Sequence, residues 1–208
     1  MTKKQKRRWA TRVYPSQAKQ GIYIDFEGFK DKKPSLLGIL VENEFKQIIL
    51  DPDLKQAAQA ENLETLSLEC AIRYVEKRAK NEKRKIFAFS QHELKVALEY
   101  TSIGRSFSSR YKDVHKIAKR WFNKTHQGRP LEDWGLKSFM KFLGDRLPPN
   151  LGNHNPTYKL REVKNMLINR REYDLLTKVK KDHWTSLLEY NKWDCRSLRT
   201  LVNKTLNV

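Results

Sequence analysis

Cysteine is scarce in this chain. Cys70 and Cys195 are the only two, far apart and in segments of helical pattern, which argues against a disulfide framework or a structural zinc site. Long apolar runs are missing too: none approaches the roughly 20 residues of a membrane span. The basic N-terminus lacks the apolar segment of a secretory signal, so a cytoplasmic location is expected. Acids are few against bases, 24 Asp and Glu to 43 Lys and Arg, for a formal net charge of +19. That balance points to a polyanionic partner, nucleic acid before an anionic membrane surface, because no long basic amphipathic helix carries a clean apolar face. Internal repeats and low-complexity tracts are absent as well.

What is present is enough to fold. With 208 residues and 38% hydrophobic content, the chain can bury one full core. The expected organisation is a basic arm over residues 1–20 and a single domain over 21–208. Three strand signals, "GIYIDF", "SLLGILV" and "FKQIIL", read as an antiparallel meander. A helix is predicted from "DPDL" to about Lys80, with Asn62 a candidate break; the short strand "IFAF" and the helix "SQHELKVALEY" follow. The polar "TSIGRSFSSR" reads as a loop, "YKDVHKIAKRWF" as a short strand turning helical, and "DWGLKSFMKFLG" as an amphipathic helix ended by Gly144. A loop over 145–156, a charged helix over 158–174 and a last helix from about Trp184 to Thr205 complete the chain. This order fits an α/β fold: a mixed sheet with helices on both faces.

The chemistry begins at "YIDFEGF", residues 23–29. Side chains alternate along a strand, so Asp25 and Glu27 share a face with Tyr23, while Ile24 and Phe26 point the other way. Two like charges side by side need a positive neighbour. In the last helix, Leu187, Tyr190, Asp194, Leu198 and Leu201 recur at intervals of three or four, which puts Asp194 on the inward stripe with Tyr190 one turn before it. Glu93 stands three residues after Ser90, in capping-box spacing, and fits either a helix-capping acid or a site acid. Cys195 reads as a packing residue.

Taken together, these segments resemble the DEDD family of 3′-5′ exonucleases. "YIDFEG" looks like its first motif, an Asp-x-Glu on the first strand of a ribonuclease-H-like fold. "AFSQHELKVAL" resembles the second, with Glu93 where Asp is usual and Ser90 and Gln91 in place of its Asn features. "YNKWD" matches the Tyr-x-x-x-Asp third motif of the tyrosine subgroup. "KDVHKIAKRW" is similar to the fourth-strand segment, where an Asp, here Asp113, has a structural or auxiliary role. The first motif is also similar to that of predicted ribonuclease-H-like nuclease domains associated with RecB-like modules.

The resemblance implies a ribonuclease-H-like sheet, three antiparallel strands followed by parallel ones, and metal-dependent 3′-5′ hydrolysis of DNA or RNA. It implies two divalent ions, Mg²⁺ or Mn²⁺, held by Asp25, Glu27, Glu93 and Asp194. Asp25 would bridge them, Glu27 and Asp194 would hold the ion that generates hydroxide, and Glu93 would act through bound water. Tyr190 would orient the attacking water, since an ordinary phenol is a poor base at neutral pH. Candidate phosphate contacts are Arg105, Arg110, Lys116, Lys119, Arg120, Lys159, Arg161 and Lys164, with Phe107, Trp121 or Trp134 available to stack on an unpaired end. The expected partner is nucleic acid, single-stranded or with a free 3′ end. A structure-selective endonuclease and a non-catalytic nucleic-acid-binding protein are the alternatives.

Overall fold

The alternation of "YIDFEG" becomes strand β1, Ile22–Gly28. A computed structural model describes residues 12–29, 33–127, 129–151 and 155–206; residues 1–11 of the basic arm and part of the 145–156 loop lie outside them. β1 pairs antiparallel with β2, Pro34–Val41, and β2 antiparallel with β3, Glu44–Ile49. The β2–β3 connection is a two-residue turn, Glu42-Asn43, and Glu42 takes a left-handed φ of 54° to close it. Its carbonyl accepts a hydrogen bond from Arg199, which ties the turn to the last helix. β5, Ile86–Ala88, runs parallel to β1, and β6, Tyr111–Asp113, parallel to β5. A two-residue strand β4, Glu64–Thr65, adds to the β3 edge, giving the order β4-β3-β2-β1-β5-β6. This is the expected ribonuclease-H-like mixed sheet with one added edge strand.

Helices cover both faces. Ile22, Ile24 and Phe26 pack against α3 (Leu68–Asn81), α4 (His92–Tyr100) and α5 (Gly104–Arg110). The opposite face, with Tyr23, is covered by α6 (Val114–Thr125), α7 (Leu136–Phe142), α8 (Pro156–Arg170) and α9 (Lys178–Leu206). Two shorter helices, α1 (Pro15–Lys19) and α2 (Lys55–Ala60), complete the described α-helices. α1 belongs to the folded body: Ala18 is fully buried and its carbonyl accepts from the Tyr23 hydroxyl at 2.7 Å.

The path of α9 positions the site. Its first half puts Trp184 and Leu187 into one apolar cluster with α8, Leu36 and Ile49; its second half puts Leu198, Leu201 and Val202 into another with Tyr23 and Phe87. Between the two clusters the inward stripe turns polar at Asn191 and Asp194, above β1.

Four expectations are corrected. The long helix after "DPDL" is a 3-10 turn, Pro52–Leu54, then α2, then a break at Asn62 (φ 53°) and β4 before α3 begins. The "loop" over 101–110 contains α5, because Phe107 is fully buried and its segment must carry it into the core. The last helix starts at Lys178, six residues before Trp184, and α8 ends at Arg170, where Arg171 takes a φ of 61°. No helix among the described residues is long and apolar enough to cross a membrane.

Candidate metal centre

β1 delivers Asp25 and Glu27 to one face, and α9 lays Asp194 over them. Each of the three offers a carboxylate oxygen, and these oxygens lie within 4.8 Å of one another. Glu27 and Asp194 are buried at 7% and 8% exposure; Asp25 is partly exposed. Glu93, 5% exposed, stands on the first turn of α4 beyond the end of β5, close enough for its charge to act on both Asp25 and Asp194. The pattern that put Asp25, Glu27 and Asp194 together in sequence therefore does so in space, with Glu93 beside them.

Asn191 completes this core. Its amide nitrogen donates to Asp25 Oδ2 at 2.9 Å and to the Asp25 carbonyl at 3.1 Å. Gln47 Nε2 in turn donates to Asn191 Oδ1 at 3.1 Å and to the Leu188 carbonyl at 3.0 Å. Gly38, the β2 partner of Asp25, makes room: a Cβ there would stand 2.2 Å from Asn191 Oδ1. Asn191 is not among the residues expected from the sequence; it is fully buried on the stripe shared by Leu187 and Leu198, and a polar residue on that stripe is the signal that could have found it.

Glu93 is held differently from a simple capping acid. Ser90 Oγ accepts from the His92 N–H at 3.1 Å and is not the cap of α4, whose flanking residue is Gln91. The Tyr111 hydroxyl lies 3.3 Å from Glu93 Oε2 and also reaches the Ser90 carbonyl. Asp113 caps α6 by accepting from the Lys116 N–H at 3.0 Å, and it pairs with the Lys116 ammonium at 3.3 Å.

Electrostatically the centre is a cluster of acids in which burial and mutual repulsion disfavour ionisation. Burial, then Asp194, Glu27 and Glu93, hold Asp25 well above the usual carboxylate range against the pull of Asn191. Burial and Asp194 do the same to Glu27, opposed by Lys137. Burial lifts Asp194 to about 7, with Lys137 and the Tyr190 hydroxyl pulling down. Burial raises Glu93 to about 7 against its hydrogen bonds. Tyr190, also buried, is pushed further up by burial and the acids, so at neutral pH its hydroxyl is a donor, bonded to Asp194. An all-oxygen set of mutually repelling carboxylates fits a hard divalent cation such as Mg²⁺ or Mn²⁺, whose charge would let the acids ionise together.

The expected phosphate contacts do not converge in the same way. Lys164 is engaged with Asp51 at 2.6 Å and Asp53 at 2.9 Å, and Lys116 with Asp113. Lys119 lies 4.5 Å from the Trp134 ring centroid and Arg161 5.9 Å from that of Phe29; Lys159 donates to Ser186 Oγ at 2.8 Å. Arg120 is exposed on α6, while Arg105 and Arg110 belong to α5, which packs on the sheet face opposite Asp25 and Glu27. Phe107 and Trp121 are core residues and cannot stack on a base, whereas Trp134 keeps an exposed face. Cys195 is fully buried, as its packing role required. Lys137, Tyr111, Gln47 and Gly38 carry no signal in the sequence that marks them as site residues.

No protein-family model, curated protein or solved structure matches the chain.

Proposed function

We propose that this protein is a metal-dependent phosphodiesterase that shortens nucleic acid strands from free 3′ ends, in the manner of the DEDD exonucleases of the tyrosine subgroup. The observation that carries the reading is the meeting of Asp25, Glu27 and Asp194 oxygens within 4.8 Å on a ribonuclease-H-like sheet. The net charge of +19 supports a polyanionic substrate. Two free cysteines, Cys70 and Cys195, are in keeping with a cytoplasmic location.

Asp25, Glu27 and Asp194 are the residues that would hold the divalent cation, with Glu93 placed to assist at a second. Such ions, when bound, activate water and stabilise charge on the phosphoryl and leaving oxygens. The chain's own groups do the rest. Asn191 fixes one oxygen of Asp25. Tyr190 spends its proton on Asp194, which orients its ring and hydroxyl at the edge of the centre; its role is orientation, since burial and the neighbouring acids oppose its ionisation. In the reaction a water oxygen bonds to phosphorus, the P–O3′ bond breaks, and a 5′-mononucleotide departs.

The test uses 5′-labelled single-stranded DNA and RNA with Mg²⁺ or Mn²⁺, beside a 3′-blocked strand, a circular strand and an Asp25→Ala/Asp194→Ala protein. A ladder shortening from free 3′ ends, lost in the variant, is the expected result. Cutting of the circle would make the protein an endonuclease on the same centre. Strand retention without variant-sensitive cleavage would overturn catalysis.

A further inference from the structure

Lys137 stands on α7, whose start is pinned by Asp133: Oδ1 accepts from the Gly135 N–H at 2.6 Å and from the Ser138 hydroxyl at 2.7 Å. Phe139 and Met140, next in the helix, are fully buried, so α7 is fixed while Lys137 itself is exposed. Its ammonium lies 4.9 Å from the centroid of the Tyr190 ring, and the Tyr190 hydroxyl is bonded to Asp194. Lys141, one turn further on, is engaged by Glu132; among the described residues no ion pair engages Lys137. Its field nonetheless reaches both Glu27 and Asp194.

An ammonium beside a cation site weakens cation binding, because like charges repel. The same ammonium favours an anion brought to that place. We infer that Lys137 is a further catalytic residue, whose ammonium binds a non-bridging oxygen of the phosphate under attack, on the Tyr190 side of the centre. This rests on the phosphodiesterase reading. As the water oxygen bonds to phosphorus and the P–O3′ bond breaks, charge shifts among the phosphoryl oxygens, and a fixed cation there is an electrostatic stabiliser. The proton of the attacking water passes to solvent and O3′ takes one from solvent. Lys137 keeps its protons and acts as a point charge on phosphate.

The test compares wild type, Lys137→Gln and Lys137→Arg in single-turnover cleavage of a 5′-labelled single strand, in Mn²⁺ binding, and in Mn²⁺-dependent binding of a nucleoside 5′-monophosphate. Lys137→Gln is expected to cleave about 100-fold more slowly. It should hold Mn²⁺ as tightly as wild type or more so, and bind the mononucleotide more weakly; Lys137→Arg should recover most of both losses. Full-rate cleavage by Lys137→Gln overturns the inference, and so does a parallel loss of Mn²⁺ affinity, the mark of a merely structural lysine. A wild-type protein that cleaves nothing sinks the phosphodiesterase reading, and the mononucleotide titration then decides Lys137 alone: binding lost in Lys137→Gln sustains the phosphate contact, while equal binding, or none in either protein, overturns it.

Discussion

Asn191 holds Asp25 twice, through its carboxylate Oδ2 at 2.9 Å and through its own carbonyl at 3.1 Å, and so joins the middle of β1 to the polar stretch of α9. Both acids that face each other across this joint, Asp25 and Asp194, depend on it for register. Replacing Asn191 with Ala leaves Asp25 Oδ2 without its donor and opens a gap beside Gly38. The expected cost is about 1–3 kcal/mol of stability and a 10- to 100-fold loss of Mn²⁺ affinity. Urea unfolding and Mn²⁺ titration measure the two; unchanged metal affinity would show that Asp25 needs no such support.

Gly38 makes the same point from below. An added Cβ would sit 2.2 Å from Asn191 Oδ1 and 2.8 Å from its Cγ, an approach that side chains cannot keep. Gly38→Ala should therefore displace Asn191 and destabilise the protein by about 1–3 kcal/mol. In Asn191→Ala the obstructing atoms are gone, so the double variant should cost clearly less than the sum of the singles. Strict additivity in thermal unfolding would refute the clash.

Much of this centre can be read in the chain before it folds, and the rest has a physical reason for being hidden. The period of two in "YIDFEG" and of three to four along α9 fixes which side chains face inward, so Asp25, Glu27, Tyr190 and Asp194 are visible as inward polar residues. Asn191 obeys the same stripe. α5 is hidden because a single buried aromatic, Phe107, holds an otherwise polar segment in place. The first turns of α9 are hidden because "KVKKDH" has no apolar stripe; there Lys180 is engaged by Glu162 of α8 instead. Lysines are the least legible of all. Lys164 reads as a free phosphate contact until Asp51, 113 residues away, is seen beside it, and Lys137 reads as an ordinary surface residue until Tyr190 is seen beneath it.

The pH dependence of the metal-free protein has a definite sign. Asp194 and Glu93 are raised to about 7 in the folded state from the ordinary carboxylate value near 4. The folded state thus binds these protons more tightly than the unfolded chain, and their contribution is fully present below about pH 4 and lost as pH rises through 7. Between pH 6 and 8, metal-free protein should lose thermal stability as pH rises. Mn²⁺ should reverse the trend, stabilising more at pH 8 than at pH 6. Asp25→Asn should raise the metal-free Tm at pH 8 by about 2–6 °C and abolish the Mn²⁺ effect. A metal-free Tm that climbs from pH 6 to pH 8 would refute mutual repulsion in the centre.

Tyr190→Phe separates orientation from proton transfer. The hydroxyl donates to Asp194, and burial with three neighbouring acids pushes its ionisation upward, away from the neutral range. Its removal frees an Asp194 oxygen but takes away no metal ligand and no core volume. Mn²⁺ affinity should stay within about threefold of wild type, whereas the single-turnover cleavage rate should fall about 10- to 100-fold, the scale of a lost positioning contact. Because the phenol does not ionise near neutrality, the rising limb of the pH–rate profile should keep its midpoint in the variant. A limb that disappears in Tyr190→Phe would identify the phenolate as the base, and the orienting role would have to be abandoned.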